Sequence, residues 1–167
     1  RIGSFSAASN VTGIKTDVKA IASLLHKYGV MACFDYAACA PYVEIDMNPV
    51  PEKAGDDPSI DAIFISPHKF LGGPGSSGVL VFNKRIYHGE LPPSVGAGGT
   101  VDYVSKTDQD FIKDIEEREK AGTPGVLQTM KAALVFQIKD RVGVDRIHRR
   151  EHEFTTRAMT RFRNEDG

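Results

Sequence analysis

The sequence predicts an α/β fold: part of a mixed, mostly parallel sheet with flanking helices. Three observations predict it. Short continuous apolar runs at 30–34, 62–65 and 79–82 read as strands, and the run at 30–34 fits one buried on both faces. A stripe of Val18, Ile21, Leu24, Leu25 and Tyr28, at spacings of three and four, marks an amphipathic helix just before the first run. A strand-like segment precedes that helix, so strand, helix and strand follow in the order of a βαβ unit.

The elements are read in chain order. Residues 2–8 form the first strand and lead into the polar loop Ser9-Asn10-Val11-Thr12-Gly13. Residues 15–28 form the helix, and Gly29 suits its left-handed stop. The strand at 30–34 ends at Asp35. Residues 48–59 carry Asn48, Pro49, Pro51, Gly55 and Pro58 among charges and read as a solvated loop. The third strand, 62–65, ends at Ser66-Pro67-His68-Lys69. A glycine-rich turn then joins it to 79–82, which can pair with it antiparallel. Residues 86–122 read as mixed and loop-rich. From about 125 to 163 the chain reads as helical: Val126, Met130, Ala133, Leu134, Phe136 and Ile138 line one helix, and Val144, Ile147, Phe154, Ala158 and Phe162 a second, with Gly143 at the junction.

Composition narrows the function. The 167 residues carry a formal charge of −1, so no bulk field attracts nucleic acid or an anionic membrane. The arginines of the last helix are balanced by Glu151 and Glu153 and read as a solvated face. No apolar run is long enough for a spanning helix. Two cysteines make no disulfide framework, so a reduced, cytoplasmic setting is expected. Cys33 and Cys39 are read as packing residues, His26 as a surface residue, and no histidine has metal-ligand spacing. The chain starts with Arg1 on a strand that runs straight into a polar loop, and is read as a piece of a longer protein.

Two polar groups stand where apolar strands stop, Asp35 and Lys69. Ligands of open α/β sheets bind outside the carboxyl ends of the strands. A shared ligand and a salt bridge at the sheet edge both fit that placement. The surroundings of Lys69 favour the ligand. Ser66, His68 and Lys69 share one turn, and Gly72, Gly73, Gly75 and Gly78 follow, with hydroxyls and amides suited to a phosphate. An imine-forming lysine needs a dry or cationic neighbourhood, which the strand end and His68 are expected to provide. With an aspartate able to face a pyridinium nitrogen, this is the set that pyridoxal phosphate chemistry requires.

This stretch resembles the cofactor-lysine segment of class V aminotransferases, a family of fold-type I enzymes that includes the cysteine desulfurases. Ser66, His68, Lys69, Gly72, Gly75 and Gly78 occupy the pattern, and Asn10, Asp35 and the Glu119–Pro124 segment follow the family's order. The resemblance implies a partial pyridoxal phosphate-binding large domain over residues 1–140, with residues 141–167 a helix leading towards a small domain outside the chain. It implies that Lys69 binds the cofactor and then moves the substrate's α-proton, and that Asp35 keeps the pyridine nitrogen protonated. It assigns Ser66 and His68 to the phosphate, Asn10 to the ring hydroxyl or substrate, and Thr123 to the cofactor of a partner subunit in a homodimer. The implied substrate is a small amino acid. Transamination is the expected reaction of the parent enzyme, the piece alone being expected inactive, with desulfurase-type C–S cleavage or a cofactor-free scaffold as alternatives. One position departs from the desulfurase pattern: Ala38 stands where those enzymes commonly carry a ring-contacting glutamine.

Overall fold

The computed structural model describes residues 1–163. The end of the predicted helix at 141–167, residues 164–167, therefore lies outside the described residues. A four-stranded sheet forms the centre, in the order β1 (Ile2–Ser6), β2 (Met31–Asp35), β3 (Ala62–Ile65) and β4 (Val79–Phe82). β1, β2 and β3 are parallel, and β4 pairs antiparallel with β3. The βαβ unit is formed as expected, with α1 (Val18–Lys27) as its crossover. Asp17 caps α1 by accepting a hydrogen bond from the Ala20 N–H, and Gly29, at φ +64°, turns the chain back into β2.

α1 covers the sheet face bearing Gly3, Ala32, Phe34 and Ile63. A Cβ on Gly3 would stand 2.8 Å from the Leu25 methyls, so the absent side chain sets how close the helix lies. Ala32, Phe34 and Ile63 are buried there. The segment after Asp35 contains an unpredicted strap. Val43, Ile45 and Met47 alternate with exposed Glu44, Asp46 and Asn48, and the three apolar side chains pack on the core cluster.

Beyond β4 lies a feature that the loop-rich reading of 86–122 missed. β5 (Val101–Val104) and β6 (Gln109–Phe111) form a separate hairpin, followed by the single turn α2 (Ile115–Arg118). The two long helices are α3 (Val126–Val142) and α4 (Val144–Arg161), broken at Gly143 with φ +81°. The buried face of α3 matches the predicted one only in part, at Phe136, which packs on the core cluster, and at half-buried Ile138. Ala132 and Val135 are buried, whereas Val126, Met130 and Leu134 are each more than half exposed. The helix is apolar around most of its girth, so sequence spacing could not choose the inward face. On α4 the apolar stripe is partly covered at Val144 and Ile147, and Phe154 and Phe162 are exposed. Its arginines form the expected solvated face, where Arg150 pairs with Glu153 at 2.8 Å. No helix among the described residues is long and apolar enough to cross a membrane.

Candidate active site

The parallel register brings three predicted segments to one edge. Ser6 of β1 lies beside Asp35 of β2, and Asp35 lies beside Phe64 of β3. Neighbouring strands run about 4.8 Å apart. The loop carrying Asn10, the Asp35 carboxylate and the turn carrying Ser66, His68 and Lys69 therefore all leave the sheet at the carboxyl ends of adjacent parallel strands. A direct Asp35–Lys69 ion pair is not among those formed by the described residues.

Asp35 is exposed at the end of a strand whose preceding residue, Phe34, is fully buried. Its Oδ1 accepts a hydrogen bond from the Ala37 N–H at 2.7 Å, which fixes the carboxylate's orientation and leaves Oδ2 for a ligand. Residues Pro67–Lys69 form a single 3₁₀ turn, with Pro67 buried and its carbonyl accepting from the Phe70 N–H. His68 and Lys69 are exposed, so the dry neighbourhood expected around the lysine is absent here. The strand ends at Ile65, and both side chains sit on the tight turn that follows it.

Gly73 makes that turn possible. A Cβ there would lie 2.0 Å from the Pro67 carbonyl oxygen and 2.9 Å from that of Phe70, so any side chain would force the His68-Lys69 backbone to move. Within the same glycine-rich stretch the Ser76 hydroxyl is buried without a hydrogen-bond partner. The Asn10 loop is closed locally: Ser9 Oγ accepts from the Val11 and Thr12 N–H groups, and Gly13 donates to the Ser9 carbonyl. Asn10 is exposed on that loop. Thr123 does not lie on the parallel strands or the loops that leave them. It is exposed on the segment before α3, where the Gly122 N–H donates to the Gly98 carbonyl.

Two cavities flank the edge. One of about 350 Å³ is lined by Lys69, Leu71 and Tyr42, with Val135 and Lys139 of α3. The other, about 570 Å³, is lined by Ser9, Gly13, Ala38, Cys39, Tyr42 and residues of α4. Tyr42 borders both. Cys39 is buried, and burial followed by the Asp35 charge raises its thiol pKa, so it stays a thiol near neutral pH as a packing residue does. Cys33 is likewise buried and free, also with its pKa raised by burial. Among the described residues no cluster of three histidine, cysteine or carboxylate side chains could hold a metal.

A polar cluster that sequence reasoning missed lies at the opposite, amino end of the strands. Asp61, 2% exposed, accepts from the Ala32 N–H at 2.8 Å and from Arg85 Nε and Nη2 at 2.9 and 2.7 Å. His26 Nε2 stands 2.9 Å from its other side. His26 is therefore not the surface residue expected. Its Nδ1 faces the Asp57 carbonyl at 2.9 Å, so both ring nitrogens meet acceptors and the imidazolium is favoured. Burial opposes that charge, and the bonds to Asp61 and Asp57 outweigh it, raising the His26 pKa above 6.5. For Asp61, burial is likewise opposed and outweighed, by His26, the Ala32 N–H and Arg85, and its carboxyl is held below 3.8. The available signal was an aspartate wedged between a polar loop and an apolar strand.

The sequence model of the family described as aminotransferase class-V matches residues 1–167. The chain belongs to that family. Members of the class V family use pyridoxal phosphate. Among curated relatives, a probable cysteine desulfurase of Staphylococcus aureus is 33% identical over 158 residues, covering 95% of this chain and 36% of its own length. One of Halalkalibacterium halodurans is 28% identical over 159 residues, with 95% and 36% covered. The chain thus spans little more than a third of the curated relatives it matches. An apo cysteine desulfurase structure from Thermococcus onnurineus superposes with a TM-score of 0.79 at 24% identity, covering 95% of this chain and 37% of that one. A cysteine desulfurase from Escherichia coli gives 0.70 at 23% identity, with 87% and 34% covered. These likenesses establish the fold: the mixed sheet and its helices are those of the fold-type I class.

The residues at the carboxyl edge suit the family's cofactor. The carboxylate has one oxygen fixed and the other open, and the glycine-rich turn holds a buried hydroxyl with no partner of its own.

Proposed function

We propose that this chain is the lysine-bearing part of a pyridoxal phosphate enzyme of the cysteine desulfurase type, one that cleaves the C–S bond of cysteine or a closely related small amino acid. The observation that carries the reading is the parallel register that delivers Asp35 and the Lys69 turn to one sheet edge from neighbouring strands. Its relatives named as probable cysteine desulfurases favour C–S cleavage over the transamination expected from sequence.

When bound, pyridoxal phosphate supplies an electron sink for bond breaking at the substrate's α-carbon. Lys69 Nζ would hold the cofactor and, once displaced by substrate, move the α-proton. Asp35 Oδ2 would hold a proton on the pyridine nitrogen, its partner oxygen being steadied by the Ala37 N–H. Ser66 and His68 would bind the phosphate, and Asn10 would orient the ring hydroxyl or the substrate. Thr123 would serve the cofactor of a partner subunit in a homodimer. We assign residues 1–140 to the large domain and the helix from 141 to the approach to a small domain. The two free cysteines suit a reduced, cytoplasmic setting.

A second reading, transamination, draws on Ala38, which offers no hydrogen bond to the ring in the place where desulfurases commonly carry glutamine. The test has two stages. Mixing the protein with pyridoxal phosphate and reducing with borohydride should fix one cofactor on the peptide containing Lys69, and Lys69→Ala should abolish it. A wild-type peptide without label refutes the reading. In the longer protein of which this chain is the lysine-bearing part, cysteine and an acceptor thiol should then yield alanine and thiol-bound sulfur. A keto acid formed in place of alanine selects transamination.

A further inference from the structure

α3 lies against both loops that carry the cofactor residues, and one of its side chains touches the two together. Lys139 Nζ donates to the carbonyls of Ala40 and Val43, at 2.7 and 2.5 Å, in the stretch that follows Asp35. The same ammonium stands 5.9 Å from the ring centroid of Phe70, the residue that follows Lys69. Phe70 is buried, and its ring also meets Phe136 of α3 with centroids 4.9 Å apart. The contacts continue along the helix. Val135 is buried beside Lys139, Lys131 Nζ donates to the Pro74 carbonyl at 2.6 Å, and the Gln128 carbonyl accepts from the Ser77 N–H at 3.2 Å. Residues 128, 131, 135 and 139 follow helical spacing, so one face of α3 holds the glycine-rich turn at one end and the Asp35 loop at the other.

Lys139 makes no ion pair among the described residues. Burial lowers its pKa, and Asp140 and Glu44 oppose that from a distance. An apolar side chain would fill this half-buried position without the desolvation penalty. What the lysine adds is a pair of charge-assisted bonds to carbonyls that regular structure leaves open. We infer that Lys139 is a positioning residue, which fixes the Asp35 loop against the Lys69 turn and so sets the spacing of the cofactor's two anchors. This rests on the pyridoxal phosphate reading above.

The test compares Lys139→Met and Lys139→Arg with Val135→Ala, a packing control on the same face. Backbone hydrogen exchange is followed in residues 37–43 and 69–73, together with the dissociation constant for pyridoxal phosphate and borohydride labelling of Lys69. Lys139→Met should speed exchange in both segments and weaken cofactor binding roughly tenfold, the scale of one lost charge-assisted hydrogen bond. Lys139→Arg should restore both towards wild type. Lys139→Gln, which keeps a donor without the charge, should fall between them and serves if the methionine variant does not fold. Val135→Ala should raise exchange across β2 and α3 as well. Unchanged exchange in Lys139→Met, a rise in one segment only, or a pattern matching Val135→Ala overturns the positioning role. If wild-type Lys69 takes no label, the cofactor reading falls and the role falls with it. If wild type is labelled and exchange is unchanged in Lys139→Met, the positioning role alone falls.

Discussion

Replacing Asp61 by asparagine removes the charge on which three elements converge. The carboxylate is 3% exposed and accepts four hydrogen bonds, two from Arg85 and one each from His26 and the Ala32 N–H. An amide of the same shape keeps some of these contacts but leaves two cations facing each other across a neutral group. Breaking a buried pair costs about 3–5 kcal/mol. Arg85 is 46% exposed and can turn to water, so the lower end, about 3 kcal/mol, applies here. For a chain of this size that lowers Tm by roughly 6–12 °C. Thermal melts followed by circular dichroism at pH 6 measure it. A fall of less than about 3 °C would refute the claim that this cluster ties α1, β2 and β3 together.

The pH profile tests the same network with a definite sign. His26 has a folded pKa raised above 6.5, so its contribution is complete below 6.5 and is lost as pH rises through the folded value. Asp61 is held below 3.8, so its contribution is present above 3.8 and is lost as pH falls through the folded value. Wild type should be most stable between roughly pH 4 and 6.5. In Asp61→Asn the acid limb should lose the Asp61 share and the alkaline limb should flatten, because His26 keeps only its contacts to Asp57. Gly73→Ala should displace the His68-Lys69 turn, given a Cβ 2.0 Å from the Pro67 carbonyl, and borohydride labelling of Lys69 should fall to a minor fraction. Labelling equal to wild type would show that the turn yields without cost. Asp35→Asn should retain labelling of Lys69 but bind pyridoxal phosphate more weakly, since the amide no longer supplies a negative charge for the pyridinium. Equal affinities in a cofactor titration would remove Asp35 from its assigned role.

The parts of the fold legible in the sequence were those whose signal is local. Residues 62–65 and 79–82 are unbroken apolar runs, and β3 and β4 occupy those spans. The hairpin β5–β6 escaped notice because its strands, Val-Asp-Tyr-Val and Gln-Asp-Phe, are short and half polar. Its turn closes through Ser105 Oγ accepting from the Thr107 and Asp108 N–H groups, without the Asn-Gly signature of a tight hairpin. At the site, Asp35 and Lys69 stand out as candidates because Asp35 ends one apolar run and Lys69 follows another by four residues, just before a glycine-rich stretch. His26 does not, because its partner Asp61 lies 35 residues away and only the folded sheet joins them. Lys139 lies 99 residues beyond the Ala40 carbonyl it binds, and nothing in a helix of mixed apolar and charged residues marks it.

The two ends of the same parallel strands handle their charges in opposite ways. At the amino end Asp61 is buried and its oxygens are taken up by His26, Arg85 and a backbone amide, an arrangement that stabilises and leaves nothing for a ligand. At the carboxyl end Asp35 and Lys69 are exposed, and no ion pair joins them. Here Asp35 Oδ1 is held by the Ala37 N–H, and Lys69 stands on the 3₁₀ turn that follows β3. Pairing of two such exposed groups would add at most about 1 kcal/mol, so leaving both open to solvent costs the fold little, whereas Asp61 at the other end is buried and must be paired.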